Sequence, residues 1–375
     1  MSGEGTGPWT IFVVCPPGLE EVAARELVGL GVNPDYRGPR TAGGWTCRVG
    51  FRELCRLHLH AGVASRVWVR AGHFEARTFD ELVKGLEGIA WWQWLKRRTR
   101  VEVRAEAKGS ALYHEGAIVE RAQGVVQGVV GEPQAGSEEP GQRIFLRVVK
   151  DRVQVSLDAS GEHLHKRGYR VEVGKAPLRE TLAAGLLAVS GWDGSSALMD
   201  PFCGSGTIPI EAARKARGIP PGWDRTFGFM GWKAFDEGIW AEVRKEAEGR
   251  RKDSVPLIVG SDRDAGAIRA ARANAARAGV GDAIEFREQA VSRMEFPVER
   301  GWVVTNPPYG TRVGGRTLRD LYAAFGNRIR EDGKGWTVAM ISASREMQGY
   351  TGLPFRLAAQ CKNGGIPVAM VVGGG

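Results

Sequence analysis

Apolar and polar positions change period several times along this chain, and each change marks an element. Residues 9–14 read as a strand, whereas Leu19, Val22, Ala23, Leu27 and Leu30 recur at helical spacing over 19–30. A strand over 46–49 and a helix over 51–59 follow, so roughly the first 65 residues form a small α+β unit. From residue 66 further strands are predicted over 66–70, 100–105, 144–149 and 152–157, with a Trp-rich helix over 91–95 and another over 116–130. Polar, Gly/Pro-rich residues make 131–141 a loop, and Lys150-Asp151 turns the last two strands back on each other. No long parallel crossover is expected in this part.

The second half has a different rhythm. Short apolar runs at 197–199, 257–260 and 302–305 each lead, after a turn, towards a helical pattern, at 208–217, 265–278 and 317–331. A further buried strand covers 336–342. Strand–helix alternation of this kind builds a doubly wound α/β sheet. The runs 355–361 and 366–372, joined by Lys362-Asn363-Gly364-Gly365, read as a closing hairpin.

Candidate chemistry collects where these runs end. Asn306-Pro307-Pro308-Tyr309 follows the strand Trp302-Val303-Val304-Thr305. The prolines fix φ and remove two N–H donors, which frees the backbone carbonyls to face a ligand. An amide, a carbonyl and an aromatic ring at one strand end suit a planar exocyclic amine. Asn306 and the Pro307 carbonyl can accept its two hydrogens while Tyr309 stacks on the ring. A plain tight turn is the alternative. Upstream, Asp200-Pro201-Phe202-Cys203-Gly204-Ser205-Gly206-Thr207 forms a strand, Gly-rich turn and helix start. It lacks both the full G-x-G-x-x-G spacing and the Lys-Ser/Thr pair of a phosphate loop. Its acidic strand tip would repel phosphate and suits a cationic or hydroxyl-rich ligand. Asp262 ends the next strand, where a carboxylate can hold a ribose diol; Asp262 or Asp264 could instead cap the following helix.

Composition narrows the partners. The chain has 375 residues, 43% of them hydrophobic, and a net charge of +9, which points to a polyanion such as nucleic acid. That length suggests two or three domains. Five scattered cysteines without a C-x-x-C pair argue against a disulfide framework or a zinc site and for buried thiols in a reducing compartment. No apolar run reaches membrane-spanning length and no signal segment is evident, so a cytoplasmic protein is expected. Lys166, Arg167 and Arg170 beside Tyr169 make a basic, aromatic segment that could follow a phosphate backbone. The clustered tryptophans at 91–94 read as core with one exposed ring rather than as a stacking platform.

These motifs resemble a known family. From Lys175 onwards the chain resembles class I, Rossmann-like S-adenosylmethionine-dependent methyltransferases that modify exocyclic or amide nitrogens. The first 170 residues resemble a ferredoxin-like domain followed by a THUMP RNA-binding domain, through Gly18-Leu19-Glu20, Glu26-Leu27 and residues 158–170. Pro177 to Ala184 and the block Gly231 to Trp240 extend the likeness to bacterial 23S rRNA guanine-N2 methyltransferases, here in a single-methyltransferase form.

The resemblance implies a ferredoxin-like unit at 1–65, a THUMP unit at 66–160, a basic linker at 161–176 and a seven-stranded methyltransferase domain with a reversed final strand at 177–375. It implies catalysis by Asn306, Pro307 and Tyr309. S-adenosylmethionine would be held by Thr181, Asp200, Phe202, Cys203, Gly204, Ser205, Gly206, Thr207, Asp262, Arg263, Gln289 and Asn306. RNA would meet Lys166, Arg167, Tyr169, Arg170, Arg312 and Arg316, and no metal is called for. Gln289 stands where relatives carry an acidic residue for the adenine amine. A monomer acting on 23S rRNA is expected, with a tRNA guanine-N2 enzyme or a non-catalytic RNA-binding assembly factor as alternatives. An N6-adenine DNA methylase would leave the THUMP-like half without a role.

Overall fold

The computed structural model describes residues 8–36, 43–133, 141–170, 178–309 and 315–374, with backbone alone at 315–317. Strands β1 (Trp9–Val14), β2 (Gly44–Val49), β3 (Arg66–Glu75), β4 (Val101–Lys108), β5 (Gln142–Val149) and β6 (Arg152–Asp158) form one sheet, ordered β2-β1-β3-β6-β5-β4. Helices α1 (Glu20–Gly29), α2 (Phe51–His60), α3 (Phe79–Glu87) and α4 (Glu115–Val130) connect them. The long strand β3 joins the two N-terminal units: Arg66 to Val69 pair with β1, and Trp68 to Glu75 pair with β6.

Two expectations change here. β4 and β5 pair in parallel over eight residues through α4, so this half does contain a parallel crossover. Ile118, Ala122, Val126 and Val130 recur at i+4 and bury one face of α4, which is what returns the chain to the same sheet. The Trp-rich segment is a single 3-10 turn, Trp91–Gln93, rather than a helix. The true helix lies upstream in α3, where Thr78 and Glu81 form a reciprocal capping box. The Trp91 indole donates to the Leu86 carbonyl (2.8 Å), and this contact near the end of α3 fixes the turn.

The second half contains α5 (Glu180–Ser190), β7 (Leu198–Asp200), α6 (Thr207–Ala216), α7 (Glu237–Glu248), β8 (Ile258–Asp262), α8 (Ala265–Arg277), β9 (Glu285–Glu288) and β10 (Gly301–Thr305). It continues with α9 (Gly315–Asp332), β11 (Trp336–Ser342), α10 (Arg345–Tyr350), β12 (Phe355–Asn363) and β13 (Ile366–Gly374). The sheet order is β12-β13-β11-β10-β7-β8-β9, and β13 runs antiparallel to both its neighbours. This is the Rossmann-like seven-stranded sheet with a reversed final strand. The chain leaves β7 towards β8 and β9, then crosses back to β10 on the other side of β7. Ligands bind outside the carboxyl ends of strands at such a switch point.

The halves share one apolar core. Trp9, Trp94 and Trp232 meet with ring centroids 5.1 and 5.2 Å apart along the chain of contacts, and Phe51 packs edge-on against Phe229. Phe229 and Trp232 come from the excursion between α6 and α7. Its backbone also joins the N-terminal half: the Phe229 N–H donates to the Ala159 carbonyl and the Lys233 N–H to the Trp94 carbonyl, both at 3.0 Å. Each fully buried large apolar side chain stabilises by about 1.5–3 kcal/mol, so cutting the chain near residue 170 would expose several such contributions. A second buried cluster, including Met199, Val303, Tyr322, Phe325 and Trp336, fills the other face of the catalytic sheet.

Candidate active site

β7, β8 and β10 are neighbours, so their carboxyl ends bring Asp200, Asp262 and Asn306 to one edge of the sheet. Asp200 is buried and accepts from the Thr305 hydroxyl (2.6 Å) and the Phe202 N–H (3.1 Å). Burial pushes its carboxyl up to about 7 despite these bonds, and nearby Asp262 adds to the rise. Thr305 therefore ties the tip of β7 to the tip of β10, one residue before Asn306. The sequence pattern places Thr305 in the strand alone, and a Thr directly before the Asn-Pro-Pro turn is the local signal for this contact.

The Asp262 carboxylate accepts from the Gly204 N–H (3.1 Å) and the Asp264 N–H (3.0 Å). Asp264 caps α8 by accepting from the Ala267 N–H (3.0 Å), so Asp262 is not the cap. Between the two carboxylates runs the Gly-rich turn. Gly204 has φ +51°, and an added Cβ there would meet nothing within 4 Å, so the backbone borders open space. Gly206 has φ +86° and caps α6; a Cβ there would press on Ala271 Cβ at 3.0 Å. Asn274, buried on α8, donates to the Ser205 carbonyl (3.1 Å) and braces the same turn. Cys203, Ser205 and Thr207 are buried, Phe202 is half-buried against Phe325, and burial lifts the Cys203 thiol well above its usual range.

Asn306 is half-buried, and its Oδ1 is the one buried side-chain oxygen without a hydrogen-bond partner among the described residues. Buried acceptors are nearly always satisfied, so an unmet one at a strand tip is the mark of a ligand-facing atom. The turn after it is held from two sides. The Tyr322 hydroxyl on α9 donates to the Pro308 carbonyl (3.2 Å), and the Asn363 amide donates to the Tyr309 hydroxyl (2.6 Å). Burial raises the Tyr309 phenol. Neither Tyr322 nor Asn363 stood out in the sequence, because each acts across more than ten residues.

The remaining sequence-derived positions divide. Thr181 is buried in the first turn of α5, and Arg263 is exposed beside Asp262. Gln289 follows β9; its N–H donates to the Asp262 carbonyl (2.9 Å) and its side-chain nitrogen to the Arg293 carbonyl (2.8 Å). Among the described residues no hydrogen bond to the Gln289 amide oxygen uses it up as an acceptor. Arg312 lies outside the described residues, as does the linker from 171 to 177, and at Arg316 only the backbone is described.

The basic segment is corrected. Arg167 is 2% exposed and donates to the Leu164 and Gly62 carbonyls, both at 2.6 Å. Tyr169 is buried and donates to Glu211 on α6 (2.9 Å). Arg170 donates to the Leu178 carbonyl and the Thr207 hydroxyl, both at 2.7 Å, and pairs with Glu180 at 3.1 Å. These groups join the halves of the molecule and cannot reach a phosphate backbone or stack on a base. Of the four, Lys166 remains exposed, paired with Glu162.

Among the described residues no three His, Cys, Asp or Glu side chains gather as a metal site would need, and no helix is long and apolar enough to cross a membrane. All five cysteines are free and buried.

Comparison with known proteins agrees with this geometry. A family profile described as "RMKL-like, methyltransferase domain" matches residues 167–366, and one described as "RlmL ferredoxin-like domain" matches residues 10–68. "Putative RNA methyltransferase YpsC" of Bacillus subtilis is 34% identical over 352 residues, covering 91% of this chain and 89% of its own. "Ribosomal RNA large subunit methyltransferase K/L" of Marinomonas is 33% identical over 374 residues, covering 96% of this chain but 52% of its own, so the chain spans about half the length of that relative. The crystal structure of "SMU.472, a putative methyltransferase complexed with SAH" superposes with a TM-score of 0.87 at 27% identity, covering 98% of each chain. With its switch-point carboxylates, its unmet Asn306 oxygen and a profile spanning more than half its length, the chain belongs to the RMKL-like methyltransferase family.

Proposed function

We propose that this protein transfers a methyl group from S-adenosylmethionine to the exocyclic N2 amine of a guanine in 23S rRNA. One observation carries the chemistry: the buried, partnerless Oδ1 of Asn306 at the tip of β10, beside the Asp200–Thr305 contact. The ribosomal names of relatives such as that from Marinomonas, together with the +9 charge, support rRNA as substrate.

The residues present suit the cofactor. Gly204 borders open space, Asp262 offers a carboxylate for a ribose diol, Gln289 offers an amide oxygen for an adenine amine, and Asp200, once ionised, offers negative charge for a cation. When bound, S-adenosylmethionine supplies an electrophilic methyl carbon on a sulfonium. The protein's task is to present the amine. A guanine N2 amine is a poor nucleophile because its lone pair is delocalised into the ring. By accepting its hydrogens, Asn306 Oδ1 and the Pro307 carbonyl favour a pyramidal nitrogen whose lone pair is free to attack. The methylated nitrogen, cationic after transfer, then releases one proton to solvent water and becomes a neutral secondary amine. Positioning and preorganised polar groups supply the rate, with no side-chain nucleophile.

Thr305, Tyr322 and Asn363 keep this array rigid, and Tyr309 is the ring available to replace stacking lost when the base is turned out of its helix. The family profile at 10–68 supports the ferredoxin-like unit, and residues 66–160 are assigned here as the THUMP RNA-binding unit. Arg312 and Arg316, just after the Asn-Pro-Pro-Tyr turn, are assigned as phosphate contacts at the substrate mouth. The protein would work in the cytoplasm, without a metal ion.

Single-turnover transfer of labelled methyl to 23S rRNA tests the reading. Asn306→Ala should slow the chemical step by about 10²–10³-fold while leaving cofactor and RNA binding nearly intact. Asn306→Asp keeps an acceptor but adds charge near the sulfonium, so it should bind cofactor at least as well and stay slow. Nucleoside digestion should yield N2-methylguanosine; N6-methyladenosine from the wild type would overturn the substrate assignment, and a wild-type rate in Asn306→Ala the mechanism.

A further inference from the structure

Away from the residues of the strand tips, the surface carries a cleft of about 280 Å³ lined by the apolar Trp92, Leu95, Val129 and Val130 and the cationic Lys96, Arg97 and Lys233. Its volume lies near the small end of ligand pockets, about 300–1,000 Å³, which suits one planar base better than a dinucleotide. Trp91 and Trp94 are buried on either side, whereas Trp92 is 63% exposed. Lys233 Nζ lies 5.9 Å from the centroid of the Trp92 ring. The residues run Lys96-Arg97-Arg98-Thr99-Arg100, and Lys233 joins them from the excursion of the catalytic half. Among the described residues none of these five cations makes an ion pair, although they are exposed.

The arrangement is fixed. Arg98 sits at φ +63°, its N–H donates to the Val130 carbonyl (2.7 Å), and Lys233 is anchored through its own N–H on Trp94. The carboxyl end of α4 would draw a cation or two to its dipole, but that accounts for neither five of them nor an outward-facing indole. An aromatic face beside unpaired cations is the chemistry of single-stranded nucleic acid recognition, in which a base stacks while flanking phosphates meet the charges.

We propose that this cleft binds an unpaired base of the RNA substrate by stacking on Trp92, with Lys96, Arg97 and Lys233 on the adjoining phosphates. The inference rests on RNA being the substrate. It adds a docking point that both halves of the molecule build, the N-terminal half giving the ring and the catalytic half Lys233. A nucleotide captured there would hold the RNA against the junction of the halves.

The test uses the full chain, a fluorescein-labelled single-stranded RNA and the same sequence as a duplex. Trp92→Ala should weaken single-strand binding by about 5- to 150-fold, the range for losing one base–aromatic stack, and should weaken duplex binding far less. Trp92→Phe should restore most of the loss. The Lys96→Glu/Lys233→Glu double variant should reduce the salt dependence of binding. Methyl transfer at saturating RNA should keep its maximal rate in Trp92→Ala, with only the RNA requirement raised. Unchanged single-strand affinity in Trp92→Ala overturns the site and leaves the methyltransferase reading standing. A wild type that binds no RNA overturns both. Poly-glutamate competing as well as RNA overturns the nucleotide assignment in favour of a generic acidic partner.

Discussion

Two polar clusters in this molecule use the same residue chemistry to opposite ends. At the strand tips, Asp200, Thr305 and Asn306 lie together at one edge of the sheet, and an acceptor is left unmet at Asn306 Oδ1. At the junction of the halves, Arg167, Tyr169, Arg170, Glu180 and Glu211 close on one another and on backbone carbonyls. There only Arg167 Nε lacks a hydrogen bond, and Glu211 stands 3.8 Å from it. Both clusters are buried and both contain carboxylates raised by burial. Burial and charge therefore do not separate a site from a joint. An unmet acceptor at the carboxyl ends of the strands, where the sheet switches direction, does.

The sharpest way to break this comparison is Arg167→Ala. Removing one charge of a buried ion pair costs about 3–5 kcal/mol: here Glu211 loses its counter-charge, although Tyr169 still donates to it, and the Leu164 and Gly62 carbonyls lose their donor. Urea unfolding should show that loss, while molecules still folded at low temperature should retain RNA affinity. An Arg167→Ala protein of wild-type stability but weakened RNA binding would mean that this guanidinium reaches RNA after all.

The same contrast explains what could be read from sequence. A strand tip is legible because parallel-sheet geometry dictates where its last residue points. Asp200, Asp262 and Asn306 accordingly meet at one edge, and the run-by-run strand pattern of the second half reappears in the sheet order. The segment from 161 to 170 was not legible. Its basic composition suggested solvent and phosphate, but the partners that draw Arg167 and Tyr169 inward, Gly62 and Glu211, lie 105 and 42 residues away. The missed parallel pairing of β4 and β5 has a similar cause, since strand partners are a tertiary property. The missed helix α3 is different: its Thr78–Glu81 capping box was local and readable.

A second prediction concerns pH. Burial places the Asp200 carboxyl at about 7, so it is mostly protonated at pH 6 and mostly ionised at pH 8. The proposed cofactor carries a net positive charge and favours the carboxylate. Its affinity, measured by calorimetry, should therefore rise by up to about tenfold between those pH values, since a tenfold change in ionised fraction corresponds to 1.36 kcal/mol. Stability runs the other way. The raised group stabilises the fold fully below its unfolded value, and that contribution fades as pH rises through about 7. Asp200→Asn should flatten both profiles. A cofactor affinity that does not depend on pH in the wild type would remove Asp200 from contact with the cation.

The smallest expected effect belongs to Lys166, the residue of the basic segment that stays in solvent. Its pairing with Glu162 is exposed and contributes little to stability, so Lys166→Ala should unfold within about 0.5 kcal/mol of wild type. If the ammonium meets a phosphate, the variant should bind RNA a few-fold more weakly. The slope of log affinity against log salt should also fall by about 0.7–0.9, the signature of one lost counterion-releasing contact. A weaker affinity with an unchanged slope would point to altered packing instead. No change in either would assign the whole segment, from 161 to 170, to joining the halves and leave RNA contact to other surfaces. The comparison with Arg167 makes the result readable: neighbours in sequence, one should change stability without affecting RNA affinity, and the other RNA affinity without affecting stability.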